Sequence, residues 1–280
     1  MQTNSNPQTI LVAGATGTVG RNIVEQLHQA GHHVKALTRN PAKANFPAGV
    51  EVVVGDLTAP ETLAPALQGV SAMHLIKFGG ADYAPLETGP MLMELAKKAG
   101  VKRVTVLLGG EKGAVEQAVE ASDLAWTFLQ PVEFMSNLLE WAAPIRKEGA
   151  VREPFGSRRS AIVHEADIAA VAAAALVEEG HGGKTYTITG PEVLTPPQMV
   201  QAIGAAIGRD LQFVELTQEQ ACERWRAQGY PEDVIQFFLW VHGNTPELGY
   251  TVVPTVEQVT GRPARTFAQW AAEHADAFRA

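Results

Sequence analysis

Three glycines near the start of the chain, Gly14, Gly17 and Gly20, have the spacing of a phosphate-binding turn. The apolar residues 10–13 before them are typical of a strand buried on both faces, and a helical pattern follows. Gly14 would permit a tight turn, Gly17 a close approach of backbone N–H groups to a pyrophosphate, and Gly20 close helix–strand packing. The sequence therefore predicts dinucleotide binding rather than an ordinary glycine turn, with further contacts from Thr16, Thr18 and Val19.

A cation at the end of the second predicted strand indicates which dinucleotide is bound. Arg39 lies 19 positions after Gly20, and no acidic residue stands near it. An acidic side chain here would bind the ribose 2′-hydroxyl of NAD, whereas a guanidinium can bind the 2′-phosphate of NADP in bidentate fashion. We therefore expect NADP(H); an arginine solvated at a strand end is the alternative.

The third predicted strand ends in Asp56 and Leu57, which are further candidate cofactor contacts. Asp56 could accept a hydrogen bond from the adenine amino group, and Leu57 could pack on the ring. Helix capping is the alternative role for Asp56. Because Thr58 and Glu61 have the spacing of a capping box, we expect Asp56 to be free for the cofactor.

The fourth strand leads into a glycine-containing loop that begins with Lys77 and Phe78. Loops at the carboxyl ends of such strands line the cofactor and substrate crevice. Lys77 is therefore a candidate cofactor contact, as is Pro131 at the end of the sixth strand. Phe78, Phe134 and Trp240 are the candidates for an apolar substrate pocket.

A regular alternation of strands and helices must position these residues. We predict strands over 10–13, 33–37, 50–54, 72–76, 101–108 and 124–130. This order predicts an α/β fold with a doubly wound parallel sheet. The rest is less regular: a helix over 134–145 interrupted near Pro144, a basic loop over 151–160, a helix opened by Asp167 and a strand over 184–188. We expect a dinucleotide-binding lobe over 1–130, completed by strand 184–188, and a smaller, mostly helical substrate lobe over 131–280, forming one compact unit.

Composition excludes several other classes of function. The net charge of −8 argues against a nucleic-acid-binding surface. There is no run of about 18 uncharged apolar residues and no signal-peptide pattern, so we expect a cytoplasmic protein without a membrane partner. The single cysteine, Cys222, excludes an intrachain disulfide and a cysteine-based metal site.

An aromatic segment over 225–240 has two interpretations. Val234, Phe237, Phe238 and Val241 have helical spacing, which favours a stripe in the core. A wall of a substrate pocket or a contact between subunits is the alternative, and the latter would make the protein a homodimer.

Taken together, these motifs resemble the NmrA-like branch of the atypical short-chain dehydrogenase/reductase family. The resemblance covers nearly the whole chain and rests on residues 14–20, 37–41, 55–57, 114–120, 126–131, 167–169, 184–190 and 254–261. It implies a Rossmann-type fold, NADP(H) binding by the first lobe, and a pocket between the two lobes for a small-molecule substrate.

Catalysis departs from the usual family pattern. Short-chain dehydrogenases use a tyrosine and a lysine four positions later, and this sequence contains no Tyr-x-x-x-Lys. Lys112 falls where similar isoflavone-reductase-like proteins carry a proton-transferring lysine. At a helix N-terminus its neutral form would be favoured, which suits acid–base work. A surface lysine paired with Glu116 is the alternative.

Two functions fit these predictions. The first is an NADPH-dependent oxidoreductase that transfers hydride to a quinone, enal, carbonyl or imine. Such acceptors need little help from protein groups beyond orientation and exclusion of water. The second is a non-catalytic NADP(H) sensor that binds a partner protein. We favour the reductase because the C-terminal lobe is rich in aromatic residues.

Overall fold

The computed structural model describes residues 6–80 and 84–279, which group into two compact units. The first comprises the described parts of Met1–Pro131, together with Glu165–Ile188 and Thr255–Arg262. The second comprises Val132–His164, Thr189–Pro254 and the described part of Pro263–Ala280. Besides strand 184–188, which the expected first lobe already included, the first unit contains residues 165–183 and 255–262, which the sequence assigned to the second lobe.

The strands of the described chain alternate with helices along the first half. The strands are β1 (Thr9–Val12), β2 (His33–Thr38), β3 (Glu51–Val54), β4 (Ala72–Ile76), β5 (Phe78–Gly79), β6 (Ala84–Pro85), β7 (Arg103–Leu107), β8 (Ala125–Pro131), β9 (Ala150–Glu153), β10 (Lys184–Ile188) and β11 (Gln212–Glu215). The α-helices are α1 (Thr18–Gln29), α2 (Gly89–Ala99), α3 (Ala114–Glu120), α4 (Ala142–Glu148), α5 (Glu165–Val177), α6 (Pro196–Ile207), α7 (Gln218–Ala227), α8 (Glu232–Gly243), α9 (Thr255–Thr260), α10 (Phe267–Glu273) and α11 (Ala275–Phe278). Short 3₁₀ helices cover Pro41–Lys43, Pro60–Leu63, Met135–Trp141 and Glu247–Tyr250.

The first unit is built on a seven-stranded sheet with the order β10-β8-β7-β4-β1-β2-β3. Every neighbouring pair in it is parallel, and Ile10 of β1 lies between Val34 and Ala72. The predicted doubly wound, Rossmann-type sheet is thus confirmed. The strand order reverses beside β1, so the crevice at its carboxyl end is where this architecture binds ligands.

Helix α5 belongs to the first unit, although the sequence assigned it to the second. It begins at Glu165, two residues before Asp167, and eleven of its thirteen residues are buried. A helix that is apolar all round must be covered on every side. Its alanines have small side chains, and α5 packs closely on α1.

The second unit contains a two-stranded parallel sheet and a helical core. β9 pairs with β11, from Ala150 opposite Gln212 to Glu153 opposite Glu215. Residues 151–153, which were predicted as the start of a basic loop, instead belong to β9. The loop prediction is wrong there because β9 pairs with β11, about sixty residues later in the chain. Phe267, Trp270 and Phe278 are fully buried in the core of this unit.

Helix boundaries in this unit partly follow the predicted signals. The helical segment after Phe134 changes from 3₁₀ to α at Trp141 and Ala142, not at Pro144. Pro144 lies in the first turn of α4, where a missing N–H costs no intrahelical bond. The three predicted threonine–glutamine capping boxes are present, with the glutamine side chain accepting the backbone N–H of Thr195, Thr217 or Thr266. Among the helices of residues 6–80 and 84–279, none has the length and apolar character that a membrane span requires.

Candidate functional site: a dinucleotide cradle

The glycine turn brings the end of β1 and the start of α1 into direct backbone contact. Gly14 has a φ of +63°, and its carbonyl accepts a hydrogen bond from the Gly17 N–H at 2.9 Å. A Cβ added at Gly20 would lie 2.1 Å from the Gly14 carbonyl oxygen. Since no side chain fits in that space, glycine is required at position 20 for this turn to form.

The first turn of α1 is suited to an anion. Gly17 is the N-cap and offers no capping side chain, and the first turn contains no acidic residue. The leading N–H groups of a helix have no intrahelical acceptor, and they carry the positive end of the helix dipole. Thr16, Gly17 and Thr18 are exposed here, whereas the Val19 side chain is buried and leaves only its backbone for a ligand.

Arg39 is exposed immediately after β2, the strand next to β1. The turn that follows is held by two local hydrogen bonds: Asn40 N–H donates to Thr38 Oγ1 at 3.1 Å, and Ala42 N–H donates to Asn40 Oδ1 at 3.2 Å. The guanidinium has no ion-pair partner in the described part of the chain. A fixed turn that presents an unpaired guanidinium fits a phosphate ligand.

Asp56 has a structural role in its own turn, rather than the helix-capping role that was its alternative. Its Oδ1 accepts hydrogen bonds from the backbone N–H of Thr58 at 2.9 Å and from Thr58 Oγ1 at 2.8 Å. The expected capping box of Thr58 and Glu61 is wrong, because the 3₁₀ helix that follows has Ala59 at its N-cap. Asp56 is thus partly committed to its own turn, and the neighbouring Leu57 is buried. Their predicted adenine contacts stay predictions.

Lys77 is buried, and its ammonium is already paired. Its Nζ lies 3.2 Å from Glu116 Oε1, and it donates a hydrogen bond to the Glu111 carbonyl. Glu116 is completely buried, and its Oε2 accepts the Gly113 N–H at 3.0 Å. Phe78, the next residue after Lys77, is partly exposed.

Sequence reasoning missed Glu116 as the partner of Lys77, although a signal was present. Glu116 follows the buried Val115 and precedes the buried Val119 by three positions, which places a carboxylate on the buried face of α3. A charge on such a face needs a buried cation nearby. What the sequence could not show was that the end of β4 supplies that cation.

Lys112 lies outside the helix to which it was assigned. α3 begins at Ala114 with Gly113 at its N-cap, so Lys112 stands two residues before the first helical residue. The alternative pairing with Glu116 is also wrong, because the Lys112 ammonium pairs with Glu120 at 2.5 Å. It lies 5.2 Å from the centre of the Phe128 ring and is 46% exposed. Lys112 is therefore a solvent-accessible cation beside an aromatic ring.

The remaining predicted site residues are divided between the two units. Pro131 is the last residue of β8 and lies opposite Ile188 in the first unit. Phe134 is half-buried in the second unit and forms an isolated bridge with Val163. Trp240, on α8 of the second unit, is 61% exposed.

The predicted core stripe of the aromatic segment is in the wrong register. Phe237 is 56% exposed, whereas Ile235 is fully buried in a small cluster with Ala221, Cys222 and Trp225. Phe238 packs against this cluster. The helix is rotated so that Phe237 and Trp240 point to solvent, because α7 supplies the apolar face against which α8 packs.

Comparisons with known proteins agree with this geometry. Residues 14–111 match the family described as NAD(P)H-binding, and residues 108–265 match the NmrA-like family. The chain is 38% identical to an NAD(P)H azoreductase of Xenophilus azovorans, over 97% of this chain and 99% of the relative. It is also 38% identical to a (4-alkanoyl-5-oxo-2,5-dihydrofuran-3-yl)methyl phosphate reductase of Streptomyces griseus, over 96% and 99% of the two chains.

A solved structure resembles the whole fold. The NADPH-dependent quinone oxidoreductase of Escherichia coli, complexed with NADPH, superimposes with a TM-score of 0.79 at 26% identity. The similarity covers 94% of this chain and 99% of that one. The glycine cradle of the first unit therefore lies in an NAD(P)H-binding domain.

Proposed function

This chain belongs to the NmrA-like family, and on that premise we propose that it is an NADPH-dependent reductase of small electrophilic acceptors. The acceptor is a quinone, an enal, a carbonyl compound or an imine. The observation that carries the proposal is the cradle of Gly14, Gly17 and Gly20, with the unpaired Arg39 at the end of the adjacent strand. The two relatives at 38% identity, both named as reductases, support it.

The cradle and Arg39 have separate roles in binding. The backbone N–H groups at the start of α1 hold the pyrophosphate, and Gly20 keeps the helix close enough to present them. The Arg39 guanidinium binds the 2′-phosphate through parallel hydrogen bonds and so selects NADPH over NADH. Asp56, Leu57, Lys77 and Pro131 remain our candidates for further cofactor contacts.

NADPH supplies hydride, and the reduced acceptor must also gain a proton. The Lys112 ammonium is open to solvent, so water can replace a proton that it has given up after each turnover. We assign it the proton delivery, and Glu120 holds its ammonium in place. Phe78, Phe134 and Trp240 are our candidates for contacts with the acceptor. A homodimer and a cytoplasmic location also remain predictions.

The test is NADPH consumption by the purified protein against a panel of quinones, enals, aldehydes and imines. We expect turnover that prefers NADPH over NADH, and a kcat lowered about 100-fold or more in Lys112→Ala. Lys98→Ala is the matched control, since Lys98 is likewise exposed and paired with a glutamate, Glu94, and should leave kcat unchanged. Cofactor binding without reduction of any compound on the panel would instead favour the sensor.

A further inference from the structure

The second unit contains a cleft that the proposed function does not use. Its volume is about 760 Å³, and α4, β9, α7 and α8 contribute to its walls. This volume lies within the range of about 300–1,000 Å³ that is typical of small-molecule sites. All of its lining residues belong to the second unit, so the cleft is complete without the cofactor-binding unit.

One wall of the cleft consists of three aromatic rings that hold one another in place. The Phe238 ring packs edge-on against Trp225, with centroids 5.4 Å apart, and against Tyr230, with centroids 5.3 Å apart. Trp225 is buried, whereas Tyr230 is exposed. Because their orientations are fixed by packing, these rings form a preorganised surface for a flat aromatic ligand.

The charged groups of the cleft leave one carboxylate without a cation. Arg224 Nη2 pairs with Glu153 Oε1 at 2.8 Å, and Arg152 pairs with Glu148. Glu140 also lines the cleft and has no ion pair or hydrogen bond within the described chain. Each of these arginines is thus already paired with a glutamate, whereas Glu140 has no cationic partner among the described residues.

The pKa of Glu140 reflects this absence of a paired cation. Glu140 is exposed where it lines the cleft. Desolvation by the neighbouring protein, together with the nearby Glu153 carboxylate, raises the pKa of Glu140 to about 7. Arg224 and Arg158 oppose the shift, and Glu133 adds to it. A cation placed beside Glu140 would stabilise its ionised form and bring this pKa down.

A second polar group in the cleft wall also lacks a partner. The Trp141 side chain is buried, and its indole N–H has no acceptor in good hydrogen-bond geometry within the described residues, although its interaction with the Glu153 carboxylate opposes the upward shift of that group's pKa. A buried donor without a well-aligned acceptor is destabilising, and a ligand oxygen that accepts from it would offset part of this cost.

We propose that this cleft binds a planar aromatic compound that carries a cationic nitrogen. The ring lies against Trp225, Tyr230 and Phe238, and the cationic nitrogen pairs with Glu140. An oxygen on the ligand, where present, accepts from Trp141. Binding involves only the second unit and requires neither NADPH nor turnover, so the proposal is separate from that of the reductase.

Calorimetric titration of the full-length protein with benzamidine tests the proposal, with benzoate as a ring of the same shape and opposite charge. We expect benzamidine to bind and benzoate not to bind. Glu140→Gln keeps the shape and removes the charge, and it should weaken benzamidine binding about tenfold or more. Glu223→Gln, an exposed carboxylate on α7 that does not line the cleft, should leave the affinity unchanged.

A second arm tests the aromatic wall and the indole donor. Tyr230→Ala, at an exposed position, should weaken binding of benzamidine several-fold. 4-Hydroxybenzamidine should bind more tightly than benzamidine, and it should change the fluorescence of the cleft tryptophans. No detectable binding of benzamidine, equal binding of benzoate, or unchanged affinity in Glu140→Gln would each overturn the proposal. These titrations are read without cofactor, so loss of reductase activity would not affect their outcome.

Discussion

Lys77 and Glu116 form a buried ion pair between the end of β4 and the first turn of α3. Their side chains are 6% and 0% exposed, and Glu116 Oε1 has no hydrogen bond within the described residues. The positive charge of the Lys77 ammonium therefore offsets the cost of burying the Glu116 carboxylate. Through the Glu111 carbonyl and the Gly113 N–H, the same pair fixes both sides of Lys112 in the chain.

Removing one partner of this pair should destabilise the protein strongly. Lys77→Met leaves a buried carboxylate unpaired, and Glu116→Gln leaves a buried ammonium unpaired. Each should lower the free energy of unfolding by about 3–5 kcal/mol in urea titrations. The double variant should lose less than the sum of the two single losses, since no charge is then stranded.

The exposed pair of Lys97 and Asp123 is the control for this comparison. Its side chains are 70% and 83% exposed, and the two atoms lie 2.7 Å apart. Lys97→Met should leave the free energy of unfolding almost unchanged because water screens the pair. Strictly additive losses in the Lys77 and Glu116 double variant would show that the two residues do not depend on each other.

Gly20 should be intolerant of any side chain. In Gly20→Ala the new Cβ would meet the Gly14 carbonyl oxygen at 2.1 Å, so the turn must open. We expect loss of NADPH binding by fluorescence titration together with a lower melting temperature. Gly31→Ala is the matched control: Gly31 has a φ of +85° and open space around it. It should cost about 1–2 kcal/mol of stability while leaving the affinity for NADPH unchanged.

Arg39 should control the choice between the two nicotinamide cofactors. Arg39→Ala removes the guanidinium, and we expect the KM for NADPH to rise about 10- to 100-fold while the KM for NADH changes little. Lys102→Ala, which removes an exposed cation elsewhere in the same unit, should change neither value. An equal rise in both KM values would place Arg39 in general cofactor binding rather than in phosphate selection.

His74 should make the stability of the protein sensitive to acid. It is fully buried in β4, its Nδ1 lies 2.8 Å from Thr105 Oγ1, and burial lowers its pKa from 6.5 to about 4. The His74 imidazole is therefore protonated below about pH 6.5 in the unfolded chain, but only below about pH 4 in the folded chain. The free energy of unfolding is unaffected by this difference above pH 6.5. It falls by roughly 3 kcal/mol in total as the pH decreases from 6.5 towards 4.

Urea unfolding of wild type and His74→Asn between pH 4 and 8 measures this contribution. The difference between the two curves isolates His74 from other groups that titrate in acid, including His242, whose pKa is also lowered to about 4. We expect the free energy of wild type to fall more steeply than that of the variant below pH 6.5. Parallel curves would mean that His74 does not titrate between the folded and unfolded states in this range.

The sequence by itself determined the parallel sheet, the cradle and the position of Arg39. The sheet follows from the regular alternation of strands and helices, whereas the cradle and the end of β2 depend on contacts that are local in the chain. A buried strand followed by glycines and a helix closes its own turn, and the end of β2 is set by its apolar run. The capping boxes of Thr195, Thr217 and Thr266 were predictable for the same reason, since both partners lie within four residues.

Only the tertiary structure decided which distant partners meet. Lys77 finds Glu116 across 39 positions, β9 finds β11 across about sixty, and α5 returns to the first unit. The rotation of α8 depends on α7, which is why Phe237 was misplaced in the core. Periodicity shows that a face is apolar or that a charge lies on it. It does not show which element covers that face, because the fold chooses the partner by packing and by the need to pair every buried charge.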